Sequence, residues 1–455
     1  MSRPIQLFAL HSAYGLMTAV AAIDAGLLGG EDDDIERILV PMNTAAVPET
    51  APDLGSVPRL ASLRARFDRI EALNPLLDPL HPTAWRPDDH DLPILERLLR
   101  RAWGLGDARL ELFVQSPQVA PARTLMTLFS QAQLNVIGDG LMTYSPIRSA
   151  LPRQVTERVA RVVHPDVVPG VAPLVFVETG AIRVPVSAAD LGRVLREAGR
   201  AQPDAALDTL VTPGVRTALV LGQYLSALGL MSADDETALQ MRMIDRAADG
   251  GAQRVVFKPH PSAPPALSDA LAQRASARGL DLATYAGDQP GEYVAHHLGA
   301  AAVIAGFSTA LPTVRAVFGI PVHAVGADTV LARLTPYENS NRVPAVIVDA
   351  LERRVAADEL QGVVNAVGYA MQPDIAAHLR PSAIAALAAM TAADRERYVP
   401  PHRLRALDLP GAPAPTRWQR TGDQAGGVGR WEELRLTMEG AKRRARRVWK
   451  AASGR

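Results

Sequence analysis

The feature that most constrains this chain is its rhythm: short apolar runs rich in Val, Ile and Leu alternate with segments of helical length. IQLFAL (5–10), RILVPM (37–42), RLELFVQ (109–115) and LNVIGD (134–139) form a first series of strand candidates, each closed by polar or turn-forming residues. Strands that are apolar along their whole length are buried on both faces, the condition of a parallel sheet covered by helices. A second series runs through TALVLGQ (217–223), RVVFKPH (254–260), VIAGFS (303–308) and PVHAVG (321–326), ending near AVIVDAL (345–351), with SADDETALQMRMIDRAA (232–248) as an intervening helix. Between the series lies a Pro- and Gly-rich stretch, residues 161–199, that ends in a helix and places a domain boundary near residue 190.

The expected fold class is therefore α/β: two Rossmann-like domains, residues 1–190 and 191–400, facing across a cleft. Ligands of open α/β sheets gather at the carboxyl ends of the strands, so a donor held by one domain can meet an acceptor held by the other. Nucleotide-sugar transferases of GT-B-like architecture are built this way, as are other two-domain nucleotide enzymes.

A chain of 455 residues is long enough for two such cores. Lys+Arg and Asp+Glu both number 48, so the protein as a whole lacks the basic footprint of a nucleic-acid binder. It has no Cys, which removes disulfides, thiolate metal sites and Cys nucleophiles and accords with a reducing compartment. His11, Ser12, Tyr14 and Asp24 interrupt the apolar start, which reads as a strand and helix and not as a signal peptide. No run of about 18 apolar residues occurs, and a cytoplasmic location is expected. Residues 401–430 read as a Pro/Gly-rich linker, and 431–455 as a basic amphipathic tail carrying Lys442, Arg443, Arg444, Arg446, Arg447 and Lys450 around Val448 and Trp449. Such a tail either lies on the anionic inner face of a membrane or is a solubilising extension.

Three strand ends carry candidate chemistry. In RVVFKPHPSAPPAL, Lys258, His260, Pro261 and Ser262 follow a strand and precede a helix, whose N–H groups favour a phosphate. An imidazolium there can assist a leaving nucleotide, whereas the bland reading is a rigid Pro-His-Pro turn. His81-Pro82 and His164-Pro165 lack the preceding Lys-Pro strand end and are set aside. In VIAGFSTALPTVR, Gly306 ends a strand and Ser308 and Thr309 open a helix, either as caps or as phosphate ligands. In LNVIGDGLMTYSPIR, Gly138 and Gly140 flank Asp139, which is either a turn aspartate or a base for an acceptor hydroxyl. Gly222 and Gln223 are expected either to meet a nucleotide or to form a plain βα turn; Glu338 and Asn339 are expected at the border of the donor, and His11, Ser12, Tyr14 and Asn43 either touch the acceptor or are structural loop residues. Asp32-Asp33-Asp34 reads as a solvated acidic loop, and no residues are clustered with metal-ligand spacing.

In this order the three motifs resemble those of bacterial sialyltransferases, nearest to the capsule-type alpha-2,8-polysialyltransferase family. That family carries an acidic-acidic-Gly motif, an HP motif and a Ser-Ser/Thr motif. The likeness takes in VVPGVAPLVFVETG, LVLGQYLSALGLMSADDE and LTPYENSNRVP but not the basic tail. The resemblance implies Asp139 as general base, His260 at the donor phosphate, and Ser308 with Thr309 as phosphate ligands. It implies an inverting sialyl transfer from CMP-sialic acid or a related CMP-activated donor to a glycan or glycolipid acceptor in surface-polysaccharide synthesis. Neither cofactor nor metal ion is expected, and no nucleic-acid partner. Gly138 departs from the family pattern by removing the first carboxylate. Two rivals remain: a CDP-glycerol-type polymer transferase, and a catalytically silent glycan-assembly protein. Sialyl transfer requires Asp139 and His260 on opposite walls of one crevice.

Overall fold

The computed structural model describes residues 3–29, 34–45, 48, 53–223, 225–227, 229–260 and 267–413. Pro261, Ser262, Asp32 and Asp33, most of the expected linker and the whole basic tail lie outside the described residues.

Residues 1–383 form one compact unit containing two sheets. The first comprises β1 (Ile5–Leu10), β2 (Glu36–Pro41), β3 (Arg69–Ile70), β4 (Leu110–Val114), β5 (Gln133–Ile137), β6 (Val159–Pro165) and β7 (Ile182–Val186), in the order β3-β2-β1-β4-β5-β6-β7. The second comprises β8 (Thr217–Leu221), β9 (Arg254–Lys258), β10 (Asp281–Thr284), β11 (Ala302–Ala305) and β12 (Val322–Ala324), in the order β10-β9-β8-β11-β12. Every pairing is parallel. This is the expected α/β, GT-B-like arrangement. In each sheet the strand order reverses direction once, between β1 and β4 and between β8 and β11. Connecting helices leave such a point toward opposite faces and open a crevice at the strand ends.

The apolar runs become strands because both of their faces are covered. β1 and β8 are buried at every position. Phe8 and Phe113 lie opposite each other in the β1–β4 register and stack at 4.4 Å, with Phe67 edge-on to Phe8 at 5.3 Å. On the other face Leu7, Ala9, Leu112 and Val114 pack into a cluster with Trp103 and Phe129. Each Leu, Val or Phe among them contributes about 1.5–3 kcal/mol when fully buried.

Three expectations are corrected. AVIVDAL is not a strand but part of helix Arg342–Glu352, in which every residue from Arg342 to Ala350 is buried. The helix is packed against β12, helices Ala327–Arg333 and Ala357–Met371 and the turn Gly140–Tyr144, so its sequence shows no polar stripe to betray a helical period. The stretch 161–199 is not merely a connection: it supplies most of β6, all of β7 and most of helix Ala188–Arg200. Pro185 is tolerated in β7 because that strand is the sheet edge, where a missing N–H costs no ladder bond. The described residues from 384 to 413 belong to a second unit. There the expected linker opens instead as helix Pro401–Ala406, whose first-turn proline has its φ already set for a helix.

Helix Ala188–Arg200 joins the two sheets mechanically. It packs on helix Ala13–Asp24 from the first sheet and on helices Gly291–His297 and Ala310–Phe318 from the second. Near its end Gly199 lies so close to Tyr293 that a Cβ would fall within the tyrosine ring. Helix propensity alone would make Gly199→Ala stabilising by about 1 kcal/mol. Overpacking of this kind costs about 1–3 kcal/mol, so the substitution is expected to lower the melting temperature; an unchanged or raised Tm would contradict the close-packing account.

Candidate active site

The ends of β1, β4 and β5 meet at one side chain. Gln115, fully buried just past β4, accepts hydrogen bonds at Oε1 from the backbone N–H of His11 (3.1 Å) and Ser12 (3.2 Å). Its Nε2 donates to Ser12 Oγ (2.7 Å) and Asp139 Oδ1 (3.1 Å). Ser12 Oγ also accepts from Gly15 N (3.0 Å), capping helix Ala13–Asp24. Gly15 has no side chain because the carboxamide of Gln115 occupies the space a Cβ would need. The half-buried His11 bonds through Nε2 to Ser116 Oγ at 2.8 Å. Burial holds its imidazole below the usual range, and the Asp139 carboxylate pulls the other way.

Asp139 borders two cavities. The larger, about 320 Å³, is lined by Ala13, Tyr14, Met17, Asp139 and Gly140 from the first sheet and by Pro290, Glu292 and Thr309 from the second. That volume falls in the range of small-molecule sites, about 300–1,000 Å³. Tyr14 spans the two sheets with a 3.1 Å hydrogen bond to Thr313 Oγ1, and burial raises the pKa of its phenol, which stays neutral. Gly140 adopts φ +51° beneath the Tyr14 ring, 3.6 Å from where a Cβ would stand, a backbone conformation suited to glycine. Glu292 is half-buried in this cavity. Burial raises its carboxyl pKa, opposed by the charge of Lys258. The smaller cavity, about 130 Å³, lies between residues 116–119 and 136–148.

At the second sheet, Ser308 Oγ accepts from Ala310 N (3.2 Å) at the start of helix Ala310–Phe318. The hydroxyl of the exposed Thr309 takes no part in capping that helix. His260 sits exposed two residues beyond β9 and is not among the residues lining the cavity shared by Asp139 and Thr309. Lys258 is half-buried, donating to Gly287 O (2.7 Å) with its ammonium 4.9 Å from the Tyr285 ring centroid; burial lowers its pKa. Gly222 extends the β8–β9 pairing through a 2.8 Å bond to Lys258 O, and a Cβ there would meet Phe257 at 2.7 Å. Gln223 accepts from Phe307 N through its side chain and so ties the end of β8 to that of β11, beside Gly306, where a Cβ would lie 3.0 Å from the same oxygen.

Three expected site residues lie elsewhere. Asn43 shapes its own loop, accepting from Ala45 N (3.2 Å) and donating to Pro48 O (2.9 Å). Asn339 accepts from Asn341 N (3.0 Å), and neither it nor Glu338 lines the 320 Å³ cavity. Their neighbour Ser340 accepts at its backbone oxygen from Ser145 Oγ (2.8 Å) and lines the smaller cavity instead.

The family model described as alpha-2,8-polysialyltransferase (POLYST) matches residues 6–327, a span that includes Asp139, His260, Ser308 and Thr309. The chain belongs to that family. The match ends before LTPYENSNRVP, and the polysialyltransferase family makes the protein a glycosyltransferase. Among solved structures, the GT-B domain of a Photobacterium damselae sialyltransferase is similar at 10% identity and a TM-score of 0.41, covering 77% of this chain and 97% of that one. A glycosyltransferase from Rickettsia africae is similar at 10% identity and a TM-score of 0.40, covering 89% and 97%. The UDP-GlcNAc 2-epimerase of Neisseria meningitidis also gives 10% and 0.40, covering 83% and 100%. No curated protein sequence matches.

Sequence reasoning missed Gln115, Glu292 and Thr313. A glutamine closing a buried strand was the available signal for the first; the other two carry none without tertiary contacts. Gln115→Leu would strand the His11 and Ser12 N–H groups and release Asp139. Each unsatisfied buried group costs about 1–3 kcal/mol, so a lowered urea midpoint together with lost transferase turnover is expected. Wild-type values of both would show that the carboxamide positions nothing.

Proposed function

We propose that this polysialyltransferase-family enzyme transfers sialic acid, or a related nonulosonic acid, from a CMP-activated donor to a glycan hydroxyl, with inversion at the anomeric carbon and without a metal ion. The observation that carries the reading is that Asp139 and Thr309 line one cavity whose walls come from both sheets. Asp139 takes the proton of the acceptor hydroxyl as its oxygen attacks the anomeric carbon. The bond from that carbon to the phosphate oxygen breaks, and CMP departs with the electron pair. Thr309 and Ser308 hold the departing phosphate at the start of helix Ala310–Phe318, and the family resemblance assigns its hydrogen-bond donor to His260, which is not among the residues lining this cavity. Glu292, in the same cavity, is the further carboxyl available to the donor side.

A general base contributes about 10²–10⁴-fold. Asp139→Asn and His260→Ala are therefore each expected to cut CMP release from CMP-sialic acid by about that factor, with unchanged circular dichroism and no loss of wild-type rate in EDTA. Wild-type turnover in either purified variant would remove that residue from the mechanism. Faster CMP release from CDP-glycerol than from CMP-sialic acid would replace the donor.

We also propose that the basic 431–455 segment holds the enzyme at the cytoplasmic face of a membrane, each cation contributing about 1 kcal/mol near an anionic surface. Deletion after residue 430 should abolish co-sedimentation with phosphatidylserine vesicles; equal sedimentation of both forms would end this idea.

A further inference from the structure

We propose that His11 and Ser116 form a nucleophilic dyad that hydrolyses esters of short-chain carboxylic acids in the smaller cavity, an activity independent of any nucleotide-sugar donor. Neither side chain has a part in the transfer mechanism above. His11 stands just past β1 and Ser116 two residues past β4, and the parallel β1–β4 pairing brings them together although they are 105 positions apart. His11 Nε2 lies 2.8 Å from Ser116 Oγ, the distance at which a hydroxyl donates to an imidazole nitrogen.

The backbone at Ser116 is an independent observation. Its φ is +55°, in the left-handed region, and Pro117 follows, whose ring further restricts the residue before it. A serine is held in such a conformation only where its surroundings enforce it, and residues so held gather at functional sites. The order here, strand β4, a sharp bend at a serine, then helix Ala122–Leu128, is one that presents a nucleophilic hydroxyl beyond the end of a sheet.

The surroundings suit the chemistry. Gln115 anchors His11 by accepting from its backbone N–H at 3.1 Å. Burial favours the neutral imidazole, which is the form that takes a proton, and the Asp139 carboxylate favours the imidazolium that results. The backbone N–H groups of Ser116 and Gln118 make no hydrogen bond to the described residues, which leaves two donors on this turn for the charge that develops on an ester carbonyl oxygen. Ser116 lines the cavity of about 130 Å³ together with the apolar Val136, Ile137, Met142 and Val175. A cavity of about 150 Å³ holds one benzene molecule, so this one takes an acyl chain of a few carbons and excludes long ones.

In the first step Ser116 Oγ attacks the ester carbonyl carbon as its proton passes to His11 Nε2. The bond from that carbon to the alcohol oxygen then breaks, and the departing oxygen takes the proton from Nε2. Water, giving a proton to the same nitrogen, attacks the acyl-serine; the carboxylic acid leaves and the proton returns to Ser116 Oγ.

The test uses the purified full chain without nucleotide. Wild type should release p-nitrophenol from p-nitrophenyl acetate at least about tenfold faster than from p-nitrophenyl octanoate, and a fluorophosphonate should label Ser116, read by mass spectrometry of its peptide. A general base contributes about 10²–10⁴-fold, so His11→Gln should lower both acetate hydrolysis and labelling by at least about 100-fold. Ser116→Gly should abolish both with Tm unchanged or raised, because glycine adopts this φ without strain. An unlabelled Ser116 in wild type, equal rates on the two esters, wild-type hydrolysis in Ser116→Gly or wild-type labelling in His11→Gln overturns the dyad. Failure of CMP release from CMP-sialic acid would leave it standing, since no step here involves the donor.

Discussion

The carboxamide of Gln115 accepts from two backbone N–H groups at the end of β1 and donates to Ser12 and Asp139, so one buried side chain ties together the ends of three strands. The position demands a group that accepts at one atom and donates at the other. A glutamate would lose the donor half and place a second negative charge beside Asp139, and an apolar residue would strand the His11 and Ser12 N–H groups and release Asp139. Gly15 is the sequence's concession to this arrangement, since the carboxamide fills the volume of its missing side chain. The network sits at the β1–β4 reversal, where sheet topology already opens a crevice.

The second sheet repeats the device with different residues. At the β8–β11 reversal, the side chain of Gln223 accepts from Phe307 N and sets the backbone from which Ser308 and Thr309 project. Lys258 is likewise committed, through Gly287 O and the Tyr285 ring. In both sheets, then, polar residues at strand ends serve first to hold the crevice open and aligned. Asp139 and His260 stand two positions, and Ser308 three, beyond the ends of β5, β9 and β11.

What makes one cavity of two crevices is the packing between the sheets. Tyr14 reaches Thr313, and helix Ala188–Arg200 lies against helices of both sheets, with Gly199 allowing its contact with Tyr293. Asp139 therefore faces a cavity whose opposite wall, Pro290, Glu292 and Thr309, is contributed by residues about 150 to 170 positions away in sequence.

Local sequence determined much of this. Runs such as IQLFAL and TALVLGQ contain so many apolar side chains that only a strand covered on both faces can bury them, and the turn residues that follow put Asp139, His260 and Ser308 at or just beyond strand ends. Where a run is buried on all sides the same reasoning loses its grip: AVIVDAL packs into a helix because its neighbours surround it, and period carries no information there. Likewise the prolines around β6 and β7 disguised two strands whose partners are supplied only by the sheet. Tertiary structure alone decided that Gln115 meets Asp139, that Thr143 fills the space beside Gly138 and that Tyr14 finds Thr313. Those contacts depend on distances between segments remote along the chain, and burial, charge and hydrogen-bond satisfaction at each depend on what the other segment brings.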